Sequence, residues 1–161
     1  PTEPASVLES DIGFINALSS FYEHHQPKFL VAELIVLNEL HRYGGRFDAV
    51  VELDGKNYLL DYKTGNHYAG PLAMQQIAYM NSGIAHYDEQ GNLQEIEEAV
   101  SKKFGLSGAR GLYLHEDGTY ELVDPFDFIP ESIAWRAFLN CLDAYNSMQQ
   151  IKTLERNRDD D

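Results

Sequence analysis

The sequence predicts an α/β domain in which a mixed β-sheet containing one tight hairpin is flanked by helices. Three observations carry that expectation. Asp54-Gly55 stands between two runs rich in β-branched and aromatic residues, and Asp-Gly in that setting is the strongest short-range hairpin signal. A second Asp-Gly pair, Asp117-Gly118, separates strand-like segments 111–116 and 119–124. Apolar residues recur at helical spacing near the N-terminus and again from Glu131. At 161 residues, with no linker or internal repeat, the chain reads as one domain, 1–161, able to bury a core.

Taken in order, 1–8 is a polar lead-in expected to be loosely held. Ser10-Asp11 can cap a helix carrying Ile12, Ile15, Leu18, Phe21 and Tyr22, which should end before Pro27. His24-His25 at its end would project about 100° apart, so capping or solvation is expected over chelation of one ion. Segment 28–40 fits a strand or a helix; Val31, Ile35 and Val36 favour a strand, which would set Glu33 on an otherwise apolar face. Gly44-Gly45 opens the next strand as an entry where another backbone or DNA could approach.

After 44–64 a loop leads to a helix with Pro71 in its first turn, where Gln75 and Tyr79, four apart, share a face. His67 and Tyr68 are near by sequence only. Segment 81–91 reads as a short strand and turn, and 93–104 as a surface helix with Leu93, Ile96, Ala99, Val100 and Phe104 inward. Strands 111–116 and 119–124 form the second hairpin, with His115 an exposed strand residue. From Glu131 a long helix is expected to pack on the sheet with Cys141 in its apolar stripe, and the charged tail beyond Gln150 to fray.

The first hairpin carries the chemistry. A two-residue turn at Asp54-Gly55 pairs Leu53 with Lys56. Carrying the register outward pairs Val50 with Leu59 and places Asp48 opposite Asp61, with Cβ atoms roughly 5 Å apart. Lys63 follows on the same face and Arg46 lies opposite it. Phe47, Ala49, Val51 and Leu53 turn the other way with Tyr58, Leu60 and Tyr62. Two carboxylates so close repel unless a proton or a cation lies between them. A divalent cation with oxygen ligands, Mg²⁺ or Mn²⁺, is the usual solution. A lysine beside it can orient a water or offset developing charge. The plain alternative is a pair of solvated aspartates on an exposed face, although Asp is depleted in strands.

Gly-Arg-Phe-Asp48, twelve residues, then Asp61-Tyr62-Lys63-Thr64-Gly65, with Gln75-Gln76-Ile77-Ala78-Tyr79 on the next helix, resembles the PD-(D/E)XK nucleases. The branch most resembled is the RecB-like one, including phage exonucleases, and the resemblance spans about 20–85. It implies a restriction-endonuclease-like core and a metal-dependent deoxyribonuclease, an exonuclease of phage or bacterial DNA recombination or repair. Asp48, Asp61 and the backbone carbonyl of Tyr62 would hold Mg²⁺ or Mn²⁺. Lys63 would position the attacking water. Glu33, where this branch often has a Glu, would be a third acidic residue or a structural ion-pair partner. Gln75, Tyr79, Thr64 and Arg46 would meet DNA. The branch's upstream Gly-x-x-x-His ligand has no clean equivalent here, and with Cys141 alone the four-cysteine iron–sulfur site of some relatives cannot form.

Composition bounds these readings. Twelve basic against 26 acidic residues give a net charge of −14, unlike the basic footprint of most DNA binders. That balance predicts weak, salt-sensitive DNA binding, or help from a recombination or single-strand-binding protein. It also keeps open a catalytically inactive nuclease-fold binding module. A third reading is a hydrolase of small phosphate esters. A triphosphate-cradling G-x-x-x-x-G-K-[ST] loop is absent from the sequence. No apolar run of membrane-spanning length occurs, and no basic stretch with a following apolar run opens the chain. A cytoplasmic setting in a bacterium or phage-infected cell, without membrane association, is the expectation. A first residue Pro1 is expected of a processed chain or a piece of a longer one.

Overall fold

A computed structural model describes residues 11–159, with side chains for 11–156; the lead-in expected over 1–8 lies outside the described residues. Helix α1 (Ile12–His25) is followed by strands β1 (Lys28–Ala32), β2 (Ile35–Asn38), β3 (Tyr43–Arg46), β4 (Ala49–Leu53) and β5 (Lys56–Thr64). Helix α2 (Ala69–Met80), strands β6 (Gly83–Tyr87) and β7 (Leu93–Ala99), and the single turn α3 (Val100–Lys103) come next. Strands β8 (Leu106–Leu114) and β9 (Tyr120–Val123) and helix α4 (Glu131–Asp159) complete the order.

The strands form two sheets. One is mixed and five-stranded, in the order β1-β4-β5-β8-β9; the other is four-stranded, in the order β3-β2-β6-β7. The β5/β8 pair is parallel, and the segment from α2 to α3 makes the crossover that a parallel pair requires. Helix α1 covers one face of the five-stranded sheet, where Ala17 and Phe21 meet Ala49, Val51, Leu53, Leu60, Leu112 and Leu114. The opposite face is also closed: Val50, Leu59 and Ala109 pack with Val36, Ile84, Met80 and Val100 from β2, β6, α2 and α3. The hairpin strands are thus buried on both faces, which is why β4 reads as a nearly continuous apolar run.

Both Asp-Gly hairpins form, and Leu53 pairs with Lys56 and Val50 with Leu59 as the turn dictates. Several expectations need correction. Segment 28–40 is not one strand: it breaks at Glu33, whose φ of 54° ends β1 and turns the chain into the other sheet. The return at 47–48 does the same, so β3 pairs with β2 and not with β5. Arg46 therefore lies opposite Ile35 instead of Lys63. Phe47, expected beside Ala49, belongs to the second core.

Residues 93–104 form β7 and one helical turn in place of a surface helix. Pairing with β6 overrides their helix-compatible spacing, with register irregularities at Gly83/Ala85 and His86/Tyr87, and Gly83 lies so close that a Cβ there would come within 2.2 Å of the Glu97 carbonyl oxygen. Helix α4 packs mainly on α2, through Ala134 with Ala73 and Ile77, and meets a sheet where Trp135 and Phe138 contact Tyr43 of β3. Cys141 is exposed. The helix runs unbroken to Asp159 because neither Gly nor Pro interrupts it, and its side chains over 143–156 are all exposed.

The first turn of helix α1 lies against the β8–β9 turn, where a Cβ on Gly13 would fall 1.8 Å from the Glu116 carbonyl oxygen. Gly13→Ala should therefore lower stability by about 1–3 kcal/mol, read as a reduced urea midpoint. Gly70→Ala, whose Cβ would make an ordinary 3.7 Å contact with Ile129, should leave the midpoint unchanged or raise it.

Candidate active site

The chain crosses between the sheets twice, at 33–34 and 47–48, and the two crossings are tied together. The Glu33 N–H donates to the Asp48 carbonyl at 2.8 Å, and the Phe47 N–H donates to the Leu34 carbonyl at 3.2 Å. Asp48 thus stands just ahead of β4, where regular pairing with β5 ends at Ala49 and Leu60. In place of a ladder partner, the Tyr62 N–H donates to the Asp48 carboxylate at 2.9 Å. The turn register thereby brings Asp48 beside Asp61, through a side-chain bond to the neighbouring backbone.

Asp61 sits on β5 opposite Gly111 of β8 and is 4 % exposed. Its Oδ2 lies 2.7 Å from Lys63 Nζ. That contact is an ion pair off the hydrogen-bond axis, so this buried oxygen lacks a directed donor among the described residues. Burial pushes the Asp61 carboxyl above its ordinary value; the hydrogen-bonding capacity and charge of Lys63 oppose the shift, and the Asp48 charge adds to it.

Lys63 continues outward and donates to Gln75 Oε1 at 3.0 Å, and Gln75 Nε2 donates to the Tyr79 hydroxyl at 3.3 Å. Asp61, Lys63, Gln75 and Tyr79 form one polar row from sheet to helix. The row depends on two glycines that let α2 approach. A Cβ on Gly111 would fall 2.5 Å from Leu72 Cδ2, and one on Gly45 would fall 2.6 Å from the Tyr79 ring. The Gly44-Gly45 entry is therefore filled by Tyr79, not left open to another backbone.

The remaining expected residues divide. Thr64 joins Lys63, Gln75 and Asn66 in lining a cleft of about 290 Å³. The Tyr62 ring faces the α1 core, and burial pushes its phenol up. Glu33 and Arg46 form an exposed ion pair at 3.4 Å. Of the two roles open to Glu33, the structural one matches this contact, and Glu33 touches the site through its backbone N–H. Among the described residues no group of three or more His, Cys, Asp or Glu side chains converges. His24 pairs its Nδ1 with the Tyr120 hydroxyl at 3.0 Å, and the His67 ring meets Tyr113 and Phe128 edge-on.

Tyr113 escaped the sequence reading. It is 2 % exposed, lines the cleft with Lys63, and burial raises its phenol against a backbone hydrogen bond from Tyr68 and the Lys63 charge. Its two-residue alternation with Gly111 on β8 is the signal that could have marked it.

Asp48, Asp61 and Tyr62 are the residues that could hold a divalent cation. Two carboxylates and a backbone oxygen at Tyr62 are the oxygen donors such an ion could use, and the buried Asp61 Oδ2 has Lys63 as its charged neighbour. Mg²⁺ completes such a partial set with waters and substrate phosphate.

A carboxyl whose pKa is raised by folding favours the folded state in its protonated form. That contribution is complete below the unfolded value, near 3.8, and is lost as pH rises through the higher folded value. The stability of the native chain relative to Asp61→Asn should therefore increase as pH falls from 7 toward 4. Urea midpoints across that range check this, and a difference that is flat or grows with pH contradicts it.

The chain matches no protein-family model, and the search of curated proteins returns no match.

Proposed function

We propose that this chain is a divalent-metal-dependent deoxyribonuclease of the PD-(D/E)XK type, acting as an exonuclease in phage or bacterial DNA recombination or repair. The observation that carries the reading is the polar row itself. The buried Asp61 carboxylate neighbours Asp48 and contacts Lys63, which donates to Gln75, itself bonded to the Tyr79 hydroxyl. These are the residues the family resemblance singles out. The mixed sheet around the β4–β5 hairpin, with helices on its flanks, supports a restriction-endonuclease-like core.

Asp48, Asp61 and the Tyr62 carbonyl would hold Mg²⁺ or Mn²⁺, which supplies Lewis-acid activation of water and of the scissile phosphate. The residues of the chain do the rest. Asp61 and Gln75 fix Lys63 Nζ from two sides, 2.7 Å and 3.0 Å away, so the ammonium needs little reorganisation. Lys63 orients the attacking water and offsets charge gathering on the phosphate oxygens during in-line attack. Gln75 and Tyr79 guide the strand along α2, and Thr64 extends the cleft at the end of β5. With a net charge of −14, DNA affinity should fall steeply with salt, and a recombination or single-strand-binding protein would assist delivery.

The same reading predicts that Lys63→Ala cuts DNA at least about 100-fold more slowly. The assay is cleavage of end-labelled linear and closed circular DNA, single- and double-stranded, in Mg²⁺ or Mn²⁺. Sparing of circles marks an exonuclease. Absence of cutting on every substrate would favour the inactive binding module, a reading supported by the lack of a third converging ligand among the described residues.

A further inference from the structure

We infer that a second, apolar cleft, across Gln75 from Lys63, seats one unstacked nucleobase of single-stranded DNA whose phosphate lies at Lys63. This deepens the nuclease reading and rests on it for the phosphate. Two clefts meet across α2 and share Pro71 and Gln75. One contains Lys63 and Thr64; the other, about 380 Å³, is walled by Tyr43, Met74, Tyr79, Phe138 and Leu142. Its volume is at the low end for small-molecule sites, suited to one nucleoside and far too small for a duplex.

The walls have the chemistry of a base seat. Tyr43 and Phe138 meet edge-on with ring centroids 4.8 Å apart, and Phe138 stacks on Trp135 at 5.8 Å and 14°. The ring cluster gives a base an apolar, aromatic wall, and Met74 adapts to its outline. Gly44 contributes backbone without a side chain to the same wall. Gln75 stands at the shared edge, its Oε1 toward Lys63 and its Nε2 toward the Tyr79 hydroxyl, so one amide borders both the phosphate side and the base side. Net charge favours the same substrate. A duplex is held mainly by cations on its phosphates, which a chain with 12 basic and 26 acidic residues supplies poorly. Stacking draws less on charge.

Trp135, the sole tryptophan, reports on the seat. The full chain is titrated in Ca²⁺ with a short single-stranded oligothymidylate, and separately with an abasic strand of the same length. The base-bearing strand should quench Trp135 and bind more tightly. Phe138→Leu, which keeps an apolar side chain, should weaken it about 10-fold and leave the abasic strand unaffected. Leu142→Glu at the rim should act in the same direction. Equal affinity for the two strands, or binding of neither, would overturn the base seat. Cleavage of the same strands in Mg²⁺ or Mn²⁺ keeps the two ideas apart. Equal cutting of both strands retains the nuclease and removes the seat, whereas base-dependent binding without cutting retains the seat and removes the nuclease.

Discussion

Everything around the carboxylates depends on the paired crossing of the chain between its two sheets. Two backbone hydrogen bonds, Glu33 to Asp48 and Phe47 to Leu34, pin the crossing, and Glu33 accepts a left-handed backbone to make it. A non-glycine residue in that conformation is uncommon and persists only where its surroundings enforce it. Because the chain leaves at 47–48, β5 loses its backbone neighbour at Tyr62, and the Asp48 carboxylate takes the open N–H. Because it leaves at 33–34, β2 lies over the second face of the hairpin, and Val36 and Phe47 seal it. The same bends that fix one carboxylate enclose the other.

That enclosure explains the electrostatics. On an open hairpin face Asp61 would be solvated and Lys63 a mobile surface charge. Under α2 and the second sheet, the Asp61 charge is costly, and the adjacent Asp48 increases the cost. Two acidic groups held together in this way cost the fold stability. Lys63 offsets part of the cost, and its tether to Gln75 links the charge balance to the seating of α2. Gly45 and Gly111 govern that seating by admitting Tyr79 and Leu72, so backbone positions without chemistry of their own set the alignment of residues that have it.

The hairpin was legible because Asp54-Gly55 fixes both turn and register locally, and register determines which residues face one another. Register points to Asp61 as the neighbour of Asp48, but the ladder ends at Ala49 and Leu60, and Asp48 approaches through the Tyr62 N–H instead. The crossing at Glu33 was not legible, since 28–40 carries strand-compatible residues on both sides of the break and neither Gly nor Pro marks it. Missing that break misplaced Arg46 and Phe47 and hid the second sheet. Strand β7 was read as a helix because apolar residues three apart fit a helix as well as an irregular edge strand. Cys141 was read as core on periodicity, which identifies an apolar stripe without saying whether anything covers it. Gln75 and Tyr79 were placed correctly on one helix face, but only the fold shows that Lys63 reaches Gln75.

The central claim is that Asp48 and Asp61 together hold one divalent cation. Its most direct test is Mn²⁺ titration of the full chain followed by electron paramagnetic resonance, beside Asp48→Asn and Asp61→Asn. The account predicts one saturable Mn²⁺ site in the native chain, greatly weakened by either substitution, with both variants still folded. Absence of saturable binding, or binding indifferent to both substitutions, would contradict it.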